Sequence, residues 1–220
     1  MRKTIFTLVV LAFAVQVNAQ KSALTTAILA YDEQNFKKAK STIDLVVKHE
    51  KTKIDPKAWF YRGLIYQNLS SLMLDPNFLY KPINNVSDAE QEQNKSLSEN
   101  PVEEAYQSFK ACLANDLKKR YVRKVDENLK AVLGLNAYNF GAVHYQKGAE
   151  SGSKEDFMKA YASYANVYQI IELMTEMAQN ARKLDLTRRA QLDDEIHAVR
   201  FNMAIVAYRA ENWELAKKEF

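Results

Sequence analysis

The chain has 220 residues, 26% of them charged and 47% apolar, a composition that fits a folded chain and excludes wholesale disorder. Five glycines and four prolines are too few for a sheet-rich fold with many tight turns. The formal charge of +4 is small, and the basic clusters at Lys118-Lys119-Arg120 and Arg188-Arg189 alternate with acidic neighbours, so no nucleic-acid partner is expected.

The first element in chain order is a targeting segment. Arg2 and Lys3 precede an apolar run over 5–15, and Val17 and Ala19 supply small residues before a cleavage point. Residues 1–19 therefore read as a secretory signal peptide. The run is too short for a spanning helix, which needs about 20 residues. An uncleaved N-terminal anchor is the alternative. No cysteine lies near the cleavage point, so lipid anchoring is not expected. Cleavage leaves residues 20–220, without a transmembrane segment and with Gln20 first. Removing Arg2 and Lys3 reduces 31 basic side chains to 29, against 27 acidic ones. The protein is expected to be exported to the periplasm or cell envelope, and the Ala19-Gln20 junction resembles that of exported Bacteroidetes proteins.

Apolar spacing and end signals then predict helices over 22–34, 36–51, 56–71, 101–118, 123–147, 154–178 and 194–210, with a last one starting near 213. Asp55-Pro56 and Asn100-Pro101 each supply a cap followed by a first-turn proline, with Glu103 completing a capping box for the second. Ser153, Asn35 and Asn212 stand where caps are needed, and Gly148 reads as a helix stop. Residues 72–99 break the helical pattern. Their first half is apolar and tucks Leu74, Phe78, Leu79 and Tyr80 against the body. Their second half, 83–99, is polar and expected to be mobile. Residues 179–193 separate two helices, and their character is left open.

The helices repeat a pattern. Ala105 and Phe109, Ala160 and Tyr164, and Ala216 and Phe220 each place an aromatic four residues after an alanine, and Ala39 with Ile43 is a relaxed case. Before one of them, Trp59, Gly63 and Tyr66 fit W-x2-L-G-x2-Y, with Arg62 in the leucine position. Ala27 precedes Ala39 by 12 positions, and Ala204 precedes Ala216 by 12. Gly63 and Ala105 are 42 apart, and Gly141 and Ala160 are 19 apart, so each extra length falls in the turn between paired helices. The sequence thus resembles the tetratricopeptide repeat (TPR), a helix–turn–helix unit of about 34 residues. The resemblance implies an all-α, TPR-like α-solenoid of about four irregular repeats. It places an insertion over about 70–100 and leaves the last repeat truncated, so the array is expected to continue beyond residue 220. An irregular helical bundle is the alternative.

No catalytic or cofactor motif is present: HExxH, CxxC, GxSxG and the Walker loop are all missing. His197 beside Asp193 and Asp194 reads as a helix start with solvated charge rather than a metal site. His144 reads as a packed histidine. Lone Cys112 excludes an internal disulfide and reads as a small buried apolar residue. No cofactor or metal is expected, and the protein is read as no enzyme.

The family resemblance implies instead a noncatalytic scaffold that binds a protein or peptide in a groove lined by the first helix of each repeat. The groove positions would be Leu24, Ile28, Tyr31 and Asp32 in the first repeat, and Phe60, Leu64, Gln67 and Asn68 in the second. They would be Tyr138, Ala142, Tyr145 and Gln146 in the third, and Phe201, Ile205, Tyr208 and Arg209 in the fourth. Packing between repeats is the other role open to these residues. Leu24 and Ile28 stand where some relatives carry a Lys/Asn clamp for a chaperone carboxylate, so that clamp is missing. The alternative function is a repeat segment that regulates or recruits a catalytic or sensory domain beyond residue 220. Glycan binding through aromatics is a third reading. The apolar edge formed by Met203, Val206, Trp213, Leu215 and Phe220 is expected to be uncovered and open to self-association.

Overall fold

A computed structural model describes residues 22–74, 96–180 and 186–220. The expected signal segment at 1–19, the apolar residues Phe78, Leu79 and Tyr80, and most of the segment 83–99 lie outside them. Among the described residues every regular element is helical, so the protein is all-α. No helix of these residues is long and apolar enough to cross a membrane.

Helix α1 spans 22–32 and α2 spans Phe36–Lys48. The turn between them is a Schellman motif: Gln34 takes φ 59°, and the Asn35 amide donates back to the Ala30 carbonyl at 2.8 Å. Asn35 then caps α2 by accepting from the Lys38 amide at 3.1 Å. Helix α3 spans Pro56–Met73, with Asp55 accepting from the Lys57 amide at its start. Helix α4 spans Pro101–Asn115. Its expected capping box is not formed: the Asn100 side chain makes no cap bond, and Glu103 accepts from Gln107 one turn later. The proline alone fixes φ at that start and removes one unpaired amide.

The helix expected over 123–147 is a longer rod of three parts. Helix α5 (Val122–Asn128) passes through a wide π turn (Leu129–Leu133) into α6 (Gly134–Ser151). Gly148 does not end it. Gly148 is buried, and an added Cβ would lie 2.9 Å from the Phe157 ring, so its smallness serves helix contact. The stop is Gly152 at φ 71°, four residues later. Ser153 then caps α7 (Lys154–Asn180), accepting from the Asp156 amide at 3.1 Å.

Helix α8 runs over Leu186–Arg209, so most of the stretch 179–193 that sequence left open is helical. It starts before 194 because Leu192, Val199, Met203 and Val206 are buried along one line of the helix, and Leu192 extends the pattern N-terminally. The turn into α9 (Trp213–Glu219) repeats the one between α1 and α2. Glu211 takes φ 58°, the Asn212 amide donates to the Ala207 carbonyl at 2.9 Å, and Asn212 caps α9 through the Leu215 amide.

Packing is largely between helices adjacent in sequence: α2 on α3, α3 on α4, α6 on α7, α7 on α8, and α8 on α9. The π turn and α7 join the two halves by contacting α4. The core is one continuous strip, with Phe36, Ile43, Ile65, Phe109, Leu129, Leu133 and Ile170 at 2% exposure or less. Cys112 belongs to it, and burial pushes its thiol up to about 12.

Candidate functional site

The residues that close the helix pairs come first, because they set which faces remain open. A Cβ on Gly63 of α3 would lie 2.5 Å from the Phe109 ring of α4. A Cβ on Gly141 of α6 would lie 2.5 Å from the Tyr164 ring of α7. In each pair the missing side chain makes the notch that the partner's aromatic fills. Ala27, Ala39, Ala105, Ala160 and Ala204 are wholly buried, and Ala216 is nearly so. Tyr66 is buried, Trp59 is half-buried, and Phe220 is exposed.

The residues expected to line a groove lie on α1, α3, α6 and α8. At the first, Asp32 is exposed and Tyr31 is half-buried. The Asn68 side chain donates to the Tyr31 hydroxyl at 3.1 Å and to the Leu64 carbonyl at 2.9 Å, tying α1 to α3. Burial raises the Tyr31 phenol above its ordinary value, with the Asn68 bond opposing. Three residues expected to line the groove are instead packed, and Leu24, 7% exposed in the core, is the first. Phe60 is 6% exposed and Gln67 is 4% exposed. Gln67 donates to the Asn128 side chain at 2.9 Å, because the extra turn at α5 brings the long rod over the end of α3. Periodicity within α3 could not signal a neighbour supplied from 61 residues away.

Further along, Tyr138 is 44% exposed with its ring against Tyr164 at 5.6 Å. Tyr145 is half-buried against Phe157, and exposed Gln146 donates to Glu150. Phe201 and Tyr208 are each 56% exposed, and Arg209 is exposed. Their rings meet α9 aromatics edge to face, Phe201 with Phe220 at 6.3 Å and Tyr208 with Trp213 at 5.1 Å. Of the edge expected to be uncovered, Met203 and Val206 are buried against α7 and α9, while Trp213 and Phe220 stay exposed. Helix α9 is held at its end by Glu219, which is 7% exposed in its side chain. Glu219 accepts from the Tyr161 hydroxyl at 2.9 Å and pairs with Arg200 at 3.3 Å. Burial first, and that bond second, push the Tyr161 phenol up to about 12.

At the first two helix pairs the aromatics form one connected series. Tyr31 meets Tyr61 at 6.2 Å, Tyr61 meets Phe60 at 5.8 Å, and Phe60 meets Tyr121 at 5.1 Å. The series runs from α1 across α3 to the start of α5. Sequence reasoning did not single out Tyr61 or Tyr121. Tyr61 lies one residue off the expected groove position, and Tyr121 lies in the turn after α4.

Sequence reasoning also missed a polar hub. Arg62, in the usual leucine position, donates to Asp44 of α2 at 2.9 Å, to Glu104 of α4 at 2.5 Å and to Ser108 at 2.7 Å. Its guanidinium stands 4.5 Å from the Tyr66 ring centre, and Tyr66 donates to Asp44. Burial alone would raise the Asp44 carboxyl; bonds from Arg62, Tyr66 and Lys40 outweigh it and hold the group below its ordinary value. The hub clamps three helices.

No cluster of three or more metal-ligating side chains occurs among the described residues. His144 stands 3.9 Å from Asp156, and burial, with Lys147 and Lys159 nearby, lowers its pKa, so it rests neutral near pH 7. A cleft of about 680 Å³ between α4, α5 and α7 mixes Leu173 and Met177 with charges of both signs. No protein-family model matches the chain, and no curated protein or solved structure resembles it.

Proposed function

We propose that the protein is a TPR-like solenoid acting as a noncatalytic scaffold, which binds a protein or peptide on the face built by the first helices of its pairs. The observation that carries this reading is the recurrence of one joint. Gly63 receives Phe109, Gly141 receives Tyr164, and the turns at Gln34-Asn35 and Glu211-Asn212 have the same backbone form. A repeated joint makes a curved stack whose first helices share one side. Tyr31, Asn68, Tyr138, Tyr145, Tyr208 and Arg209 keep part of their surface on such helices, and tyrosines on rigid helices bury contact area with few rotors to fix. The signal-like residues before Ala19 are what support a proposed place in the bacterial periplasm or envelope.

Cross-linking in intact cells with a photoreactive residue at Tyr138 or Tyr208, and at exposed Leu45 of α2 as control, tests the reading. A discrete protein adduct from α6 or α8 and none from Leu45 is expected. Equal labelling at all three positions would refute a dedicated face.

A further inference from the structure

We infer that the aromatic series on α1, α3 and α5 is a docking surface for an acidic polypeptide segment; this rests on the scaffold reading and specifies its partner. Three cations converge on that series. The Lys57 ammonium stands 5.8 Å from the Tyr61 ring centre, the Arg120 guanidinium 5.9 Å from Tyr121, and the Lys124 ammonium 5.9 Å from both Phe60 and Tyr121. All three are exposed. No carboxylate of the described residues pairs with Lys57, Arg120 or Lys124. Their positive charge is therefore available, and the rings beneath restrain where it points.

The ring geometry selects among anions. Tyr31 and Tyr61 cross at 81°, and Tyr61 and Phe60 cross at 83°, so ring edges are driven into neighbouring faces. Cations stand over two of the same rings, Lys57 over Tyr61 and Lys124 over Phe60. Stacking a nucleobase or a sugar needs an open aromatic face, and this series is packed against itself. Spaced carboxylates need only the cations at the rim. Asp32, half-buried Asp55 and buried Asp116, which accepts from the Tyr121 amide, border the patch, but only Asp32 is exposed, and none pairs with the three exposed cations.

The test is selection of short random peptides on the purified chain, followed by titration of a fluorescent oligoglutamate peptide that carries one tyrosine. Enrichment of acidic sequences is expected. Binding of the oligoglutamate probe should weaken roughly tenfold or more in Lys57→Glu/Arg120→Glu/Lys124→Glu, and should fall steeply with added salt. The control Lys217→Glu/Lys218→Glu, on α9, should bind as the parent does, and the melting curves of both variants should overlay it. Enrichment of neutral or basic peptides would overturn the acidic partner and leave the scaffold reading standing. Recovery of no peptide at all would count against both. Equal loss in the α9 control, or equal binding of single-stranded DNA at the patch, would reduce it to unspecific attraction of anions and overturn the proposal.

Discussion

Gly63 offers the sharpest check on how the helix pairs close. Replacing it with alanine adds one methyl group in mid-helix, where alanine is favoured over glycine by about 1 kcal/mol. That gain should appear if the position were merely a weak point in α3. The added Cβ, however, would lie 2.5, 2.6 and 2.9 Å from Phe109 Cε1, Cδ1 and Cζ. Phe109 has no exposure and is backed by Phe60 at a ring distance of 6.1 Å, so the ring has little room to retreat. Overpacking of this kind costs about 1–3 kcal/mol. The net expectation for Gly63→Ala is a loss of about 0–2 kcal/mol, and Gly63→Leu should lose more. For a chain of this size each kcal/mol moves the melting temperature by about 2–4 °C. Urea and thermal melts of the single variants, and of Gly63→Ala/Phe109→Leu, measure it. The smaller flexible side chain should recover part of the loss, giving a favourable coupling. Stabilisation by Gly63→Ala alone, or strictly additive losses, would refute the notch.

Gly152, in contrast, has nothing within 4 Å of an added Cβ but sits at φ 71°, so Gly152→Ala should cost about 1–2 kcal/mol through backbone strain alone, in melts that no second-site substitution rescues. Gln34→Gly and Glu211→Gly relieve the same left-handed strain at φ 59° and 58°, and each should raise the melting temperature slightly. Bonds from Arg62, Tyr66 and Lys40 hold the Asp44 carboxyl below its ordinary value, so its contribution to stability is present above the unfolded value and is lost as pH falls through the folded value. Asp44→Asn should therefore lose stability at pH 7 and show a flatter decline in acid than the parent in urea melts. Cys112, with its thiol pushed up to about 12, should resist iodoacetamide at pH 8 in the native state and react on unfolding; rapid native labelling would contradict its burial.

Helix identity was legible from residue spacing, because burying one stripe of a helix writes its period into the chain. Asn35, Asp55, Ser153 and Asn212 act as caps where their type and position foretold, since a cap bond spans only two or three residues. The small residues at Gly63 and Gly141 were legible for the same reason: a close helix approach demands one at the crossing. What adjacent residues could not reveal was which partner arrives from far away. Gly148 looked like a stop and proved a contact for Phe157, while Gly152 took the left-handed turn. Phe60 and Gln67 looked open and were covered, one by Tyr121 and the other by Asn128, the residues at the two ends of α5. Arg62 looked like a departure from an apolar pattern, but Asp44 and Glu104, 18 and 42 residues distant, give its charge two partners. Local hydrogen bonds and helical period are properties of neighbouring residues, so they can be read along the chain. The exposure of a side chain and the pairing of a buried charge depend on distant segments, so they emerge only once the helices have packed.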